Sequence, residues 1–322
     1  MLSLLIASIA VLALSGAPAV VTRGRAGEVA STALALLGAA GGLVAALSTL
    51  ASGRTEDAAA PWQLPNAAVA LHLDPLAAAF LLPIFILGAL ASVYGLEYWP
   101  ARHQPSAGRV RVFTGLLLAG MATVVIAAHA MLFLVAWETM AVAAFFLIAA
   151  EDTEAEVRDA AWLYLIATHV GTLALFALFA ILRDVRGSFL LGPVGPAAGG
   201  LTATVILLLA LAGFGFKAGI VPLHFWLPGA HANAPSHVSA LLSGAMLKMG
   251  VYGIIRVLTF LPHPPVWWGG LLVVLGLTSA LVSPSATSRP PHHTGGSGRK
   301  VMTRMMPYTP IFSIAAERSA DT

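Results

Sequence analysis

Long apolar runs alternate with short polar joints along most of the chain, and the runs are long enough to cross a bilayer, which takes about 20 predominantly apolar residues. Nine spanning helices are predicted, at 2–21, 29–51, 75–97, 112–130, 131–150, 160–182, 201–227, 237–261 and 266–282, the seventh interrupted. The fourth and fifth abut, so a tight turn near His129 must separate them. The fold class is therefore an all-α polytopic membrane protein in three parts: helices 1–2 with their loop at 1–74, a transmembrane region at 75–282, and a tail at 283–322. That tail has no helical period and mixes Pro, Gly, Ser and basic residues, which reads as disorder. A chain ending this way after a ninth span is expected to be incomplete.

The first run resembles a signal peptide in having an Ala17-Pro18-Ala19 cleavage-like site. Its start carries no basic residue, however, and Arg23 and Arg25 follow it, which favours a retained span with the N-terminus outside. Alternating loops then place Arg23, Arg25, Arg102, Arg109, Arg111 and Arg158 inside, against Arg54, Arg183, Arg186 and Arg256 outside, a modest positive-inside bias. The acidic loop at 151–156 falls inside, as a solvated connector or as a dock for a basic partner. The expected location is a bacterial inner (plasma) membrane.

Composition agrees with the hydropathy. Hydrophobic residues make up 58% of the 322 and charged residues only 10%, with a mean hydropathy of +0.87; soluble domains carry about 25% charged residues. Cysteine is absent, which excludes disulfides, Cys-ligated zinc and Cys-held iron–sulfur clusters. Any redox centre must then sit on another subunit. The formal charge of +3 says little about partners, because five of the 17 basic residues lie in the tail.

Against this background the ionisable residues inside apolar runs stand out. Of three lysines, Lys217 and Lys248 lie in such runs, as does one acid, Glu138. A charge near mid-bilayer costs roughly 2.5–3.5 kcal/mol on insertion scales, so the three suggest a buried path for charge. Each also has a plainer reading: a static ion pair for either lysine, a protonated hydrogen-bonded acid for Glu138. Pro222, Pro228 and Pro235 fall where one long helix would otherwise continue, and each removes a backbone donor, so the helix is expected to break there. Broken helices at membrane depth occur where they are buried in protein or line a wet cavity, and transporters build ion sites at them. His224, His231 and His237 line the same region and suit a proton relay or loop hydrogen bonds; their spacing fits no zinc site. His169, deep in the sixth helix, is an interhelical histidine or a further relay. Trp99, Trp162, Trp226, Trp267 and Trp268 lie near span ends and read as interfacial anchors. No phosphate loop, HExxH helix or GxSxG elbow occurs, and no cofactor-binding or metal site is expected.

Trp137-Glu138, Lys217 followed by PLHFWLP, and Lys248 in SGAMLKMGVYG resemble the antiporter-like proton-translocating subunits of respiratory complex I, Mrp antiporters and membrane-bound hydrogenases. Within that family, AHANAPSHVSALLSGAMLKMGVYGIIR is most similar to hydrogenase-4 component B, also called formate hydrogenlyase subunit 3. The resemblance runs from Pro75 to about Val282. It implies the N-terminal part of a fourteen-helix fold with two inverted five-helix repeats, each holding a broken helix. It also implies an ion pair of Glu138 with Lys217, and Lys248 as the central proton-exchanging lysine. The chain would be a subunit of a hydrogenase or NADH:quinone oxidoreductase assembly, with no redox site of its own. Nickel–iron, iron–sulfur or flavin centres would lie on membrane and peripheral partner subunits. Protons, or sodium, would be moved, and no nucleic acid bound. A non-conducting scaffold and a stand-alone Mrp-type antiporter subunit are the alternatives. Gly229 departs from the family by standing where relatives often carry an acid, and the second repeat is almost wholly absent. One coding frame of Ser283–Ser288, shifted, gives Ala-Gln-Arg-Asp-Leu-Lys, like the family's connector after the ninth helix, so the tail is expected to be a frameshift product.

Overall fold

The computed structural model describes residues 1–22, 24–62, 67–195, 200–261 and 265–285. Arg23 and most of the tail lie outside the described residues. Two compact units are present, Met1–Gly270 and Leu271–Thr322, and the first carries every element below except the last part of the final helix.

Twelve α-helices are described: α1 (Leu2–Leu14), α2 (Ala17–Val21), α3 (Arg25–Ser52), α4 (Pro75–Tyr98), α5 (Ala107–Ile126), α6 (Ala130–Ile148), α7 (Ala155–Arg186), α8 (Gly200–Ala218), α9 (Leu227–Asn233), α10 (Ser236–Leu241), α11 (Leu247–Phe260) and α12 (Val266–Ser285). A π-helical turn, Leu242–Met246, joins α10 to α11. Among the described residues eight helical stretches are long and apolar enough to cross a membrane, and they coincide with the first eight predicted spans. The ninth is present as α12, whose apolar run Trp267–Leu281 is shorter.

The joint between α5 and α6 is as short as expected. Ala127 and His129 are extended, and the His129 Nδ1 accepts from the Met131 amide at 3.2 Å as an N-cap. Burial pushes the His129 imidazole down from its ordinary value, in keeping with an unprotonated, accepting Nδ1. Hydropathy gave no hint of the antiparallel hairpin of β1 (Glu56–Pro61) and β2 (Ala68–Leu73). The Ala128 amide donates to Ala70, and Leu191 donates to Ala128, so this face of the bundle is closed by short extended pieces.

Helix α4 starts where capping chemistry dictates. Asp74 accepts from the Ala77 amide at 2.8 Å and Pro75 opens the helix, the position where a missing N–H costs nothing. The same carboxylate takes a two-pronged bond from Arg256 of α11, at 2.6 and 2.8 Å. Burial works to raise the Asp74 carboxyl, but Arg256 and the Ala77 amide outweigh it and hold it below its usual range. The interfacial reading of the tryptophans needs correction. Trp162 and Trp267 are about half exposed, whereas Trp99, Trp226 and Trp268 are buried, because helix ends here fold against neighbours rather than stopping at a headgroup layer.

Candidate functional site

The site is organised by the end of α8. The helix stops at Ala218 because Gly219 turns left-handed, at φ +71°, a conformation that strains any residue with a Cβ. The three prolines do not stop it. Pro222 lies in the turn beyond, Pro228 is in the first turn of α9, and Pro235 is the N-cap of α10. They open the following helices instead. A helix end leaves its last carbonyls unpaired; here the Trp226 indole N–H bonds the Phe216 carbonyl at 2.9 Å and the Ile220 amide bonds that of Gly215 at 3.1 Å.

Lys217 occupies the last turn of α8 and is 2% exposed. Its ammonium donates to the Tyr164 hydroxyl at 2.9 Å. The hydroxyl passes its own hydrogen to the Ala141 carbonyl at 3.3 Å, so its oxygen is free to accept. The ammonium also stands 5.0 Å from the Tyr164 ring centre and 5.6 Å from that of Trp137, within range of cation–π attraction. Close approach of α11 to α8 encloses this pocket. At Gly250 a Cβ would come within 2.5 Å of the Ala218 nitrogen and the Phe214 carbonyl.

Glu138 sits in α6, next to Trp137. Among the described residues its carboxylate pairs with His169 and not with Lys217: Oε2 lies 3.1 Å from His169 Nε2, and Thr172 donates to Oε1 at 2.7 Å. The ion pair implied by the resemblance is thus not a contact, although the carboxylate's charge reaches Lys217. His169 and Thr172, three residues apart on one face of α7, meet Glu138 first. The His169 Nδ1 faces the Leu165 carbonyl at 2.8 Å. A carbonyl only accepts, so Nδ1 carries a hydrogen, and the contact between Nε2 and Oε2 then holds one further proton on either partner. Glu138 opens onto an apolar groove of about 520 Å³, bordered by Phe113, Leu134, Val135, Thr139 and Phe176.

Lys248 is exposed, at the start of α11, and its ammonium bonds the Ser243 carbonyl of the π-turn at 2.7 Å. Such turns are frequent at functional positions. Ser243 in turn donates to the Ser239 carbonyl, and the Ser239 hydroxyl meets His231 Nδ1 at 2.7 Å. His231 and Lys248 therefore flank one polar stripe. His224 Nδ1 is buried and lacks a hydrogen-bond partner among the described residues. His237 turns away from the lysines: it packs beside Gly95, Tyr98 and Trp99. Sequence reasoning also passed over two ion pairs. Besides Asp74–Arg256, Glu28 is 3% exposed and lies 3.2 Å from Arg111. Each pairs a residue at one helix end with a distant one, a match no local pattern displays. No group of three or more His, Asp or Glu side chains suited to a metal occurs among the described residues.

Comparison with known proteins places this geometry. The family model for the NADH:quinone oxidoreductase/Mrp antiporter transmembrane region matches residues 127–289, just over half of the chain. Escherichia coli hydrogenase-4 component B is 36% identical over 217 residues, 66% of this chain and 32% of that protein. Formate hydrogenlyase subunit 3 of the same organism is 32% identical over 246 residues, 75% of this chain and 39% of that protein. The solved Mrp complex of Dietzia sp. superposes with a TM-score of 0.75 at 27% identity, over 89% of this chain and 31% of that one. The chain spans about a third of the length of the curated relatives it matches. It belongs to the family of antiporter-like membrane subunits shared by NADH:quinone oxidoreductase, Mrp antiporters and membrane hydrogenases.

Proposed function

We propose that the chain is the proton-translocating part of a membrane subunit in a hydrogenase-4- or complex I-like oxidoreductase, with Glu138, Lys217 and Lys248 as its stations. One observation carries this reading most: an ammonium kept 2% exposed beside a helix break, held by a phenol and two aromatic faces. Burial disfavours the charged form of a lysine and a nearby carboxylate favours it. A proton moving on or off the Glu138–His169 pair changes the charge felt at Lys217 and so shifts the lysine between holding and releasing its own. The π-turn stripe of Ser243, Ser239 and His231 supports Lys248 as the next station. Electron transfer would be carried by nickel–iron, iron–sulfur or flavin centres on partner subunits, and N-terminus outside is the proposed orientation.

In the assembled complex, Glu138→Gln is expected to lower proton flux by about 10²-fold, the scale of a lost proton-transfer group, while electron transfer slows or runs uncoupled. An unchanged proton-to-electron ratio would refute the proposal. The likeness to the Mrp complex favours a second reading, exchange of sodium for protons; flux that depends on sodium and needs no redox partner would select it.

A further inference from the structure

A small pocket of about 30 Å³ lies among α1, α3, α4, α5 and α10, on the side of the bundle that the proton path does not use. Arg111 and His237 both line it. The Arg111 Nε and the His237 Nδ1 are buried, and neither has a hydrogen-bond partner among the described residues; His237 as a whole is only 6% exposed. The far end of the Arg111 guanidinium is already engaged with Glu28 at 3.2 Å.

The rest of the lining narrows what fits. Ser15, Thr32, Ser92 and Thr114 give their hydroxyl hydrogens to carbonyls of their own helices, at 2.7 to 3.0 Å. What they turn to the pocket is oxygen lone pairs. An occupant must therefore accept from Arg111 Nε–H and donate to hydroxyl oxygens, while meeting His237 Nδ1 in whichever role its tautomer sets. A halide cannot donate. A metal cation cannot accept, and the guanidinium repels it. An acyl chain does neither.

We infer that this pocket is a water-binding site in which ordered water bridges Arg111 Nε to His237 Nδ1. Its volume suits about two molecules, since one needs roughly 10–15 Å³. The bridge ties α5, through Arg111 and Glu28 already fastened to α3, to the first turn of α10. The Tyr98 hydroxyl, 3.1 Å from Ser236 Oγ, is a second tether at the same place. Together they seat the chain as it leaves the helix break and runs toward Lys248. His237 is then a positioning residue, separate from the proton stations.

The test is an experimental structure of the assembled complex at a resolution that shows ordered water. One or two water peaks are expected within about 2.7–3.2 Å of Arg111 Nε and His237 Nδ1. His237→Asn, which places an amide oxygen where Nδ1 stood, keeps them; His237→Leu loses the peak nearest the ring position. A pocket without water peaks, with both atoms turned onto protein acceptors, would overturn the inference, as would peaks unchanged in His237→Leu. Density is read whether or not the protein moves protons, so failure of the proton path and failure of this site are distinguishable.

Discussion

Lys217 is a charge-bearing side chain enclosed by protein, and the groups around it explain how it is tolerated. An ammonium has three hydrogens to place, and the Tyr164 oxygen takes one because its own hydrogen is committed to Ala141. Replacing that oxygen removes a hydrogen bond to a charged group, worth about 1.5–3 kcal/mol. Tyr164→Phe is expected to lose that much stability in denaturant unfolding of the purified protein, and no loss would show that the ammonium has other support. Asp74 offers a pH test. Its folded carboxyl is held below the ordinary range, so its contribution is complete above the value of a free aspartate and disappears as pH falls through the depressed one. Stability should thus hold from neutral pH into mild acid and then fall, with a smaller acid step in Asp74→Asn. Equal acid steps in the two proteins would remove Asp74 from the account.

At the level of elements, the spans were legible because apolar runs of bilayer length are a strong signal. Their ends were not. Helix α7 runs from Ala155 to Arg186, beyond the predicted 160–182, taking in Glu156, Arg158 and Arg183; hydropathy fades before hydrogen bonding does. The hairpin escaped notice because its first strand, EDAAAP, has neither β-branched residues nor alternation. The break was placed correctly, but attributed to proline when the left-handed Gly219 ends the helix, and a glycine's backbone sign is invisible in sequence. The buried tryptophans were misjudged for a related reason: position near a span end does not say what packs there. Close packing of α8 and α11 yields a prediction at this scale. A Cβ at Gly250 meets backbone atoms of α8 that cannot turn aside, so Gly250→Ala should cost about 1–3 kcal/mol through overpacking. Unfolding midpoints of the purified variant check it, and wild-type stability would mean the helices stand further apart.

At the scale of the molecule, the three ionisable residues singled out from sequence lie in one half of the bundle, on α6, α8 and α11, with α7 between them supplying Tyr164, His169 and Thr172. Those partners were out of reach of sequence reasoning, except for His169 as a possible relay, because interhelical facing is set by packing. The peripheral helices α1, α3 and α4, with the start of α5, hold instead the Glu28–Arg111 pair and the pocket beside it. The division gives the fold a conducting side and a supporting side. Its central claim is that Lys217 carries protons, and the most direct measurement is proton flux through the reconstituted complex with Lys217→Met, an apolar side chain of similar length. The account predicts flux lowered by about 10²-fold with the complex still assembled; flux at the wild-type rate in that variant would contradict it.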